Sequence, residues 1–188
     1  MSSEAREKIL QAAFTVLSRQ GYEHASIKEI AEEAGVAQGL IHYYFKSKQL
    51  LVLAVLAFVC QKMELGVEGV AGAQAAFEET KEMLRSSHDT NALYVQLIGV
   101  SLHDPEIGAG VRDFIRSERN HVEEIARQVL AEREADPRPA RGIAGAVWGA
   151  ILGIIVQSLV DPEFNSDEAV DALAAMSLSA IYPGIQGA

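Results

Sequence analysis

The stretch that decides the fold of this chain is GYEHASIKEIAEEAGVAQGLIHYYFKSK, residues 21–48. A short helix is predicted after Ser26, because Ser26 and Glu29 have the spacing of a capping box and apolar residues follow at helical intervals. Gly35 ends this helix, and a second short helix runs from about Ala37 to Tyr44. Two short helices joined by a tight glycine-containing turn indicate a helix-turn-helix, whose second helix enters the major groove of DNA.

The second helix of this motif carries side chains that suit contact with DNA. The amide of Gln38 can pair with the edge of an adenine, and Gly39 leaves room for the groove wall. Lys48 adds a cation at the start of the next helix, where backbone amides already favour a phosphate. Helix-turn-helix spacing also occurs in plain helix packing, in which case Tyr43 or Tyr44 belongs to the core. The predicted DNA contacts are Ser26, Lys28, Ala37, Gln38, Gly39, His42, Tyr43, Tyr44 and Lys48.

The same stretch resembles the N-terminal region of the TetR family of bacterial transcriptional regulators. The matching positions are Gly21, Ser26-Ile27, Ile30-Ala31, Ala34-Gly35-Val36, Gly39, Ile41, Tyr44-Phe45 and Ser47-Lys48. Further along, GIIVQSLVDPEF resembles the end of the penultimate helix in that family. Three positions depart from the pattern: Ala37 replaces serine or threonine, His42 replaces tyrosine, and Leu152 stands where an acidic residue is common.

The resemblance implies an all-α chain with two parts. Residues 1–48 would form a three-helix helix-turn-helix head, and residues 49–188 a helical ligand-binding and dimerisation body. The implied function is that of a repressor, which binds palindromic double-stranded operator DNA as a homodimer and is released by a small hydrophobic or amphipathic effector.

Apolar periodicity and turn signals outside this stretch are helical throughout, and no alternating strand pattern of useful length occurs. Gly21 is expected to stop a first helix, and Ser47 to cap a fourth. The Asp104-Pro105 and Asp161-Pro162 pairs each look like an N-cap followed by proline at the first helical position. Further helix boundaries are expected at residues 69–72, at residues 86–89, between Pro137 and Pro139, and at Asn165 with Glu168.

Charge is distributed unevenly along the chain. Residues 1–50 hold six basic and six acidic side chains, and the remaining residues hold the entire net charge of −10. A neutral head on an acidic body would approach a polyanion head first, although its own electrostatic attraction for DNA is weak. The single cysteine, Cys60, fits a reducing compartment, and the N-terminus lacks the order of a signal peptide. We therefore expect a cytoplasmic protein.

Candidate ligand-binding residues in the body are aromatic or apolar, with a few polar groups among them, as is usual in small-molecule sites. Each is also explained as an ordinary core residue, because cores contain the same side chains at helical spacing. Tyr94, His103 and Gln157 are the polar candidates. The full set is Phe58, Met63, Phe77, Tyr94, His103, Phe114, Trp148 and Gln157.

Residues 142–160 contain no charge and are numerous enough to span a bilayer. The favoured interpretation is a helix buried partly by a second copy of the chain, so no membrane partner is expected. Gly145, Gly149 and Gly153 would allow close approach of that copy, and Leu173, Ala174 and Leu178 of the last helix would complete the dimer interface. The opposite side, with Val147, Ile151, Ile154 and Val156, would be buried within the subunit.

Enzyme chemistry finds little support in the sequence. The five histidines show no zinc-like spacing, and neither a phosphate-binding glycine loop nor a nucleophile elbow is present. We expect no catalytic residue, no metal and no cofactor. Two rival interpretations stay open: a helical hydrolase or lyase that uses His103 beside Asp104, and a DNA-binding protein without a ligand.

Overall fold

The computed structural model describes residues 2–59 and 69–180, and every regular element in these two ranges is a helix. The all-α prediction is therefore confirmed. The helices are α1 (Ser2–His24), α2 (Ile27–Ala34), α3 (Gln38–Phe45), α4 (Lys48–Val59), α5 (Gly69–Ser86), α6 (His88–Ser101), α7 (Pro105–Glu132), α8 (Ala140–Val160) and α9 (Ser166–Ala180).

Short polar side chains start several of these helices by accepting hydrogen bonds from backbone N–H groups that have no partner within the helix. Ser47 Oγ accepts from the N–H of Leu50 at 3.0 Å. The Asp104 carboxylate accepts from the N–H of Glu106 at 2.9 Å. Asn165 Oδ1 accepts from the N–H of Glu168 at 3.1 Å. The caps predicted at Ser47, Asp104 and Asn165 are confirmed.

The helix start predicted at Asp161-Pro162 is wrong. Asp161 is the C-cap of α8, and its N–H donates to the carbonyl of Gln157 at 2.9 Å. Its carboxylate accepts from the N–H of Glu163 at 3.0 Å, which closes a tight turn. An Asp-Pro pair initiates turns as well as helices, and here α9 begins only at Ser166.

The chain forms two compact units. Described residues from 1–62 and 89–114 make up the first unit, and those from 63–88 and 115–188 make up the second. The first unit thus contains α6 and the beginning of α7 in addition to α1–α4. The functional division near residue 48 stays a prediction, because a DNA-binding segment and a compact unit need not have the same boundary.

The first unit is built around α1, which packs against α2 and α4. Burying one large aliphatic side chain contributes about 1.5–3 kcal/mol, so a core of this size decides the unit's stability. Fully buried members are Ile9, Val16 and Leu17 of α1, Ile30 of α2, Ile41 of α3, Leu51 and Leu56 of α4, Leu93 and Leu97 of α6, and Ile107 of α7.

In the second unit, α9 packs against α5 and α8. A core cluster joins Ala73 of α5, Val129 and Leu130 of α7, and Ala140 of α8. Ion pairs fasten α5 to α9: Lys81 contacts Asp171, and Arg85 contacts Asp167. The hydrogen bond to Asp171, followed by one to Glu78, raises the pKa of Lys81, so this ammonium stays charged.

Candidate nucleic-acid interface

The first helix of the motif, α2, is fixed at both ends by local contacts. Ser26 Oγ accepts from the N–H of Glu29 at 3.2 Å, and the Glu29 carboxylate accepts from the N–H of Ser26 at 3.0 Å. Gly35 adopts the left-handed conformation, with φ 62° and ψ 40°. The N–H of Val36 then donates to the carbonyl of Ala31 at 2.9 Å, which turns the chain toward α3. The predicted capping box and glycine turn are confirmed.

The second helix, α3, has a buried side and an exposed side. Ile41 and Phe45 lie in the core of the first unit. The predicted DNA contacts Gln38, Gly39 and His42 are exposed. Ala37 precedes the helix without a side-chain cap, as its replacement of serine or threonine suggested. Gln38, Gly39 and His42 are therefore accessible to a partner molecule.

Tyr43 and Tyr44 differ in their surroundings. The Tyr43 side chain is 70% exposed, which excludes the interpretation that it is a core residue. Tyr44 is half-buried, and its ring packs edge-on against that of Tyr43 with 5.2 Å between centroids. Tyr44 thus supports the exposed ring of Tyr43 at the surface of α3.

Acidic side chains of this region are engaged by neighbours within it. Hydrogen bonds from Ser26 hold the pKa of Glu29 below its usual value. Glu33 pairs with Arg19 at 3.7 Å, and Glu32 pairs with Lys28 at 3.8 Å. Lys28 and Glu32 are both well exposed, and exposed pairs contribute little to stability. Lys28 can therefore exchange its carboxylate for another anion at small cost.

Lys48, a predicted phosphate contact, is half-buried at the end of α1. Its ammonium lies 4.5 Å from the centroid of the Tyr22 ring and donates to the carbonyl of Glu23 at 3.4 Å. Burial lowers the pKa of Lys48, and the nearby Glu23 and Glu29 carboxylates partly oppose this shift. The structure thus places Lys48 in a corner that the sequence did not indicate.

Two cations near α3 were not assigned a role from the sequence. Lys46 follows the helix with a φ of 62°, and its ammonium lies 5.9 Å from the centroid of the exposed Tyr43 ring. The guanidinium of Arg6 lies 5.4 Å from the centroid of the Phe45 ring. A lysine directly after the Tyr44-Phe45 pair was the signal available for Lys46. No comparable local signal pointed to Arg6, which precedes α3 by more than thirty residues.

The predicted ligand-binding residues fall in both units. In the first unit, Phe58 is half-buried and His103 is exposed. Tyr94 is buried there, and its ring packs edge-on against that of Phe114 with 5.2 Å between centroids. Tyr94 and Phe114 are thus one predicted pair that the structure brings together.

In the second unit, Phe77 and Trp148 are half-buried. Trp148 Nε1 is buried and has no hydrogen-bond partner within residues 2–59 and 69–180. Gln157 is exposed, and its side-chain amide donates to the carbonyl of Gly153 at 3.2 Å. Met63 lies outside the described residues.

The glycines of α8 lie at the surface of the chain. Gly145 and Gly149 are exposed and Gly153 is half-buried. A Cβ added at any of the three would have no atom of the described residues within 4 Å. Val147 and the two predicted isoleucines of α8 are buried, but Val156 is 37% exposed. The prediction for Val156 is wrong, because it lies two helical turns beyond Gly149 and so on the glycine side.

The predicted interface residues of α9 point differently from the expectation. Leu173 is 7% exposed, and Leu178 packs against the core cluster of the second unit. Ala174 is half-buried. Met176 is instead 61% exposed, and Ala172 and Ala175 are also exposed.

Helix α8 is long and apolar enough to cross a membrane by length and composition alone. Only 28% of its most apolar 18-residue window is buried in this chain. The exposed remainder includes the glycine side, so α8 presents an apolar surface that no described residue covers.

Comparison with known proteins identifies the motif. Residues 9–55 match the model of "Bacterial regulatory proteins, tetR family". The chain belongs to the tetR family. The matched residues include α2, the Gly35 turn and α3, which are the elements described above.

Similar proteins extend the tetR likeness over nearly the whole chain. An uncharacterised HTH-type transcriptional regulator, YvdT of Bacillus subtilis strain 168, is 51% identical over 49 residues, which are 26% of this chain and 25% of that protein. The HTH-type transcriptional regulator UidR of Escherichia coli strain K12 is 21% identical over 98% of this chain and 96% of its own.

A solved structure shows that the fold, too, is shared. The crystal structure of a transcriptional regulator from Saccharomonospora viridis in complex with choline has a TM-score of 0.73 and 24% identity, covering 93% of this chain and 95% of that one. The tetR-family helix-turn-helix and an all-α architecture are thus established for this chain, which is a transcriptional regulator of that family.

Proposed function

We propose that this tetR-family regulator is a repressor, which binds palindromic operator DNA as a homodimer and leaves it when a small molecule binds. The observation that carries the proposal is the exposed side of α3, with Gln38, Gly39, His42 and Tyr43, on a helix-turn-helix fixed by the capping box and the Gly35 turn. In helix-turn-helix proteins such a side reads base edges in the major groove.

Contacts in the proposed complex divide into two kinds. Gln38 lies in the first turn of α3, where recognition helices contact bases, and its amide suits an adenine edge. Tyr43, Lys28 and Lys46 are polar or charged at the exposed surface and suit phosphate oxygens. The first kind gives sequence preference, and the second gives affinity that depends on salt.

A homodimer follows from the short reach of one recognition helix. Two copies related by a two-fold axis place their helices in successive major grooves, about 34–36 Å apart. The exposed apolar face of α8 and α9 suits the subunit contact, with Gly145, Gly149, Val156 and Met176 on it. Glycine within a helix costs about 1 kcal/mol relative to alanine, and close packing of a second copy would offset this cost.

The effector is proposed to be small and hydrophobic or amphipathic. The aromatic pair of Tyr94 and Phe114 and the buried indole N–H of Trp148 are groups that line such sites. The Saccharomonospora viridis regulator, solved in complex with choline, gives family-level support for a small-molecule ligand. The effector would lower operator affinity by favouring a conformation in which the two recognition helices are wrongly spaced.

The hydrolase interpretation gains no support from His103. Asp104, the residue that would orient its imidazole, directs its carboxylate to the N–H groups of Glu106 and Ile107 and to the side-chain amide of Gln49. An exposed histidine beside a carboxylate so engaged offers no preorganised acid or base. The relatives compared above are transcriptional regulators, which agrees with a non-enzymatic role.

A selection experiment tests the proposal without knowledge of the operator. The full chain is incubated with fragments of its source genome, and bound DNA is sequenced. We expect enrichment of an inverted repeat whose half-sites are one helical turn apart. The matched control is Gln38→Ala, which keeps the fold because Gln38 is exposed and should alter the preference at one position of each half-site. Equal recovery of all fragments by the wild-type chain would overturn the proposal.

A further inference from the structure

A cleft of about 510 Å³ opens within the first unit, between the end of α1 and the end of α6. Its lining includes Tyr22, Glu23, Gln96, His103 and Asp104. Among the predicted ligand residues, His103 alone lies here, away from the Tyr94–Phe114 ring pair in the list of lining groups. The cleft therefore asks for an explanation apart from the proposed effector site.

The electrostatic character of this cleft favours a cation. Two helices end at its walls, α1 at His24 and α6 at Ser101, and the C-terminal end of a helix carries partial negative charge. The carboxylates of Glu23 and Asp104 add two formal negative charges to the lining. Hydrogen bonds, foremost from the N–H of Ile107, lower the pKa of Asp104, so this carboxylate is ionised at neutral pH.

The aromatic wall of the cleft already binds an ammonium group of the same chain. The Nζ of Lys48 lies 4.5 Å from the centroid of the Tyr22 ring, a distance at which the ring's electron-rich face attracts a cation. Burial, followed by the negative charges of Asp104 and Glu106, raises the pKa of the Tyr22 hydroxyl. Tyr22 therefore stays a neutral aromatic ring in surroundings where negative charge prevails.

Hydrogen bonds hold the walls of the cleft in place before any ligand binds. The side-chain oxygen of Gln96 accepts from the N–H of Tyr22 at 3.4 Å, which joins α6 to the end of α1. The other carboxylate oxygen of Asp104 accepts from Gln49 Nε2 at 3.2 Å, which joins the start of α7 to α4. Preformed walls reduce the ordering cost of binding.

We propose that this cleft binds a small organic cation, a primary ammonium on an aromatic or aliphatic skeleton. The ammonium lies between the carboxylates of Glu23 and Asp104, and the skeleton lies against Tyr22 and Val100. Since α1 belongs to the DNA-binding motif and α6 does not, the bound cation adds a bridge between them. This site is additional to the effector site of the proposed function and does not depend on it.

The test uses benzylammonium as the probe and benzyl alcohol as its neutral counterpart of similar shape. The full chain, without DNA, is titrated with each compound while backbone amide signals are followed by two-dimensional NMR. We expect saturable shifts at Tyr22, Gly99 and His103 with benzylammonium, and binding of benzyl alcohol weaker by about fivefold or more, since at least one ion pair is lost.

Two variants assign the binding to the carboxylates. Asp104→Asn keeps a helix-capping side chain while removing the charge, and Glu23→Gln removes the other charge. Each should weaken benzylammonium binding by about fivefold at low salt. The matched control is Glu7→Gln, an exposed carboxylate on α1 that does not line the cleft and should leave binding unchanged.

Three results would overturn this proposal. These are equal affinities for the two compounds, unchanged affinity in both carboxylate variants, and amide shifts confined to the surroundings of Trp148. Because the assay contains no DNA, failure of the operator proposal leaves these outcomes unaffected, and failure here leaves operator binding untouched.

Discussion

At the scale of single residues, Ser26 and Glu29 fix the start of α2 through their reciprocal hydrogen bonds. Ser26→Ala removes the side-chain acceptor and should lower the free energy of unfolding by about 0.5–2 kcal/mol. Urea unfolding followed by circular dichroism measures this loss. Ser26→Asp keeps an acceptor at the cap and is the matched control, so an equal loss in both variants would contradict the capping explanation.

The same capping box gives a pH dependence. The hydrogen bonds from Ser26 lower the pKa of Glu29 in the folded chain relative to its usual 4.5. A carboxyl with a lowered folded-state pKa contributes stability that is fully present above its unfolded-state pKa and is lost as pH falls through the folded value. The difference in unfolding free energy between wild type and Ser26→Ala should therefore shrink on acidification below pH 4.5. A difference that grows with acidity would exclude this linkage.

Gln38 and Lys46 separate sequence preference from salt dependence in the proposed DNA complex. Gln38→Ala should cost about 1–3 kcal/mol of discrimination at one base pair of each half-site. Lys46→Ala should weaken binding to all sequences alike and reduce the slope of log affinity against log salt by about one per subunit. Fluorescence anisotropy over a salt series measures both effects. An unchanged slope in Lys46→Ala would remove Lys46 from the phosphate contacts.

Lys48 is a less direct test of phosphate binding than the sequence suggested. Its ammonium is engaged by the Tyr22 ring and the Glu23 carbonyl, so Lys48→Ala removes a contact within the unit as well as a charge. An effect of that variant on DNA affinity would combine the two causes. Lys46, which is exposed, gives the cleaner measurement.

At the scale of elements, two glycines set the directions in which helices leave each other. Gly35 has φ 62° and ψ 40°, a region that other residues enter at a cost of about 1–2 kcal/mol. Gly21 has φ 78° and ψ 169°, a region that is essentially restricted to glycine. The two positions therefore differ in how a side chain is tolerated.

This difference predicts an order of stabilities. Gly35→Ala should destabilise the fold by about 1–2 kcal/mol, because a Cβ there has only Lys8 Nζ nearby, at 3.8 Å. Gly21→Ala should destabilise it more, because the conformation is costlier and the Cβ would lie 3.2 Å from Gln96 Oε1. Denaturant midpoints rank the two variants, with Gly35→Asn as a control that tolerates the left-handed region. The reverse order would show that the end of α1 rearranges freely.

At the scale of the whole molecule, the exposed apolar face of α8 and α9 predicts the state of association. Gly149→Leu adds bulk where the single chain has open space, so the fold of each subunit should survive while a closely packed dimer should not. We expect sedimentation of the wild type as a dimer and of Gly149→Leu as a monomer or aggregate, with operator binding lost. A preserved helical circular dichroism spectrum would show that the subunit still folds.

Gly149→Ala is the matched control for this substitution. It adds one methyl group, favours the helix by about 1 kcal/mol and should leave association weakened far less than leucine does. A Gly149→Leu chain that is still dimeric at low micromolar concentration would contradict the proposed interface. A wild-type chain that stays in solution only with detergent would favour the membrane interpretation of α8 instead.

The sequence by itself determined the features that depend on near neighbours. The capping box, the Gly35 turn and the caps at Ser47 and Asn165 involve groups at most four residues apart, so residue type and spacing specify them. Helical periodicity likewise identified the buried Ile41 and Phe45, and so the exposed side of α3 that carries the proposed DNA contacts.

Only the tertiary structure decided which partners distant segments find. Asp104 was predicted as a cap, but its bond to Gln49, and the approach of Gln96 to Tyr22, join residues more than fifty positions apart. The placement of Lys48 against Tyr22, the burial of Leu173 and the exposure of Val156 also follow from packing between helices. A periodic pattern identifies an apolar side of a helix but not the surface that covers it, because burial depends on what the fold brings there.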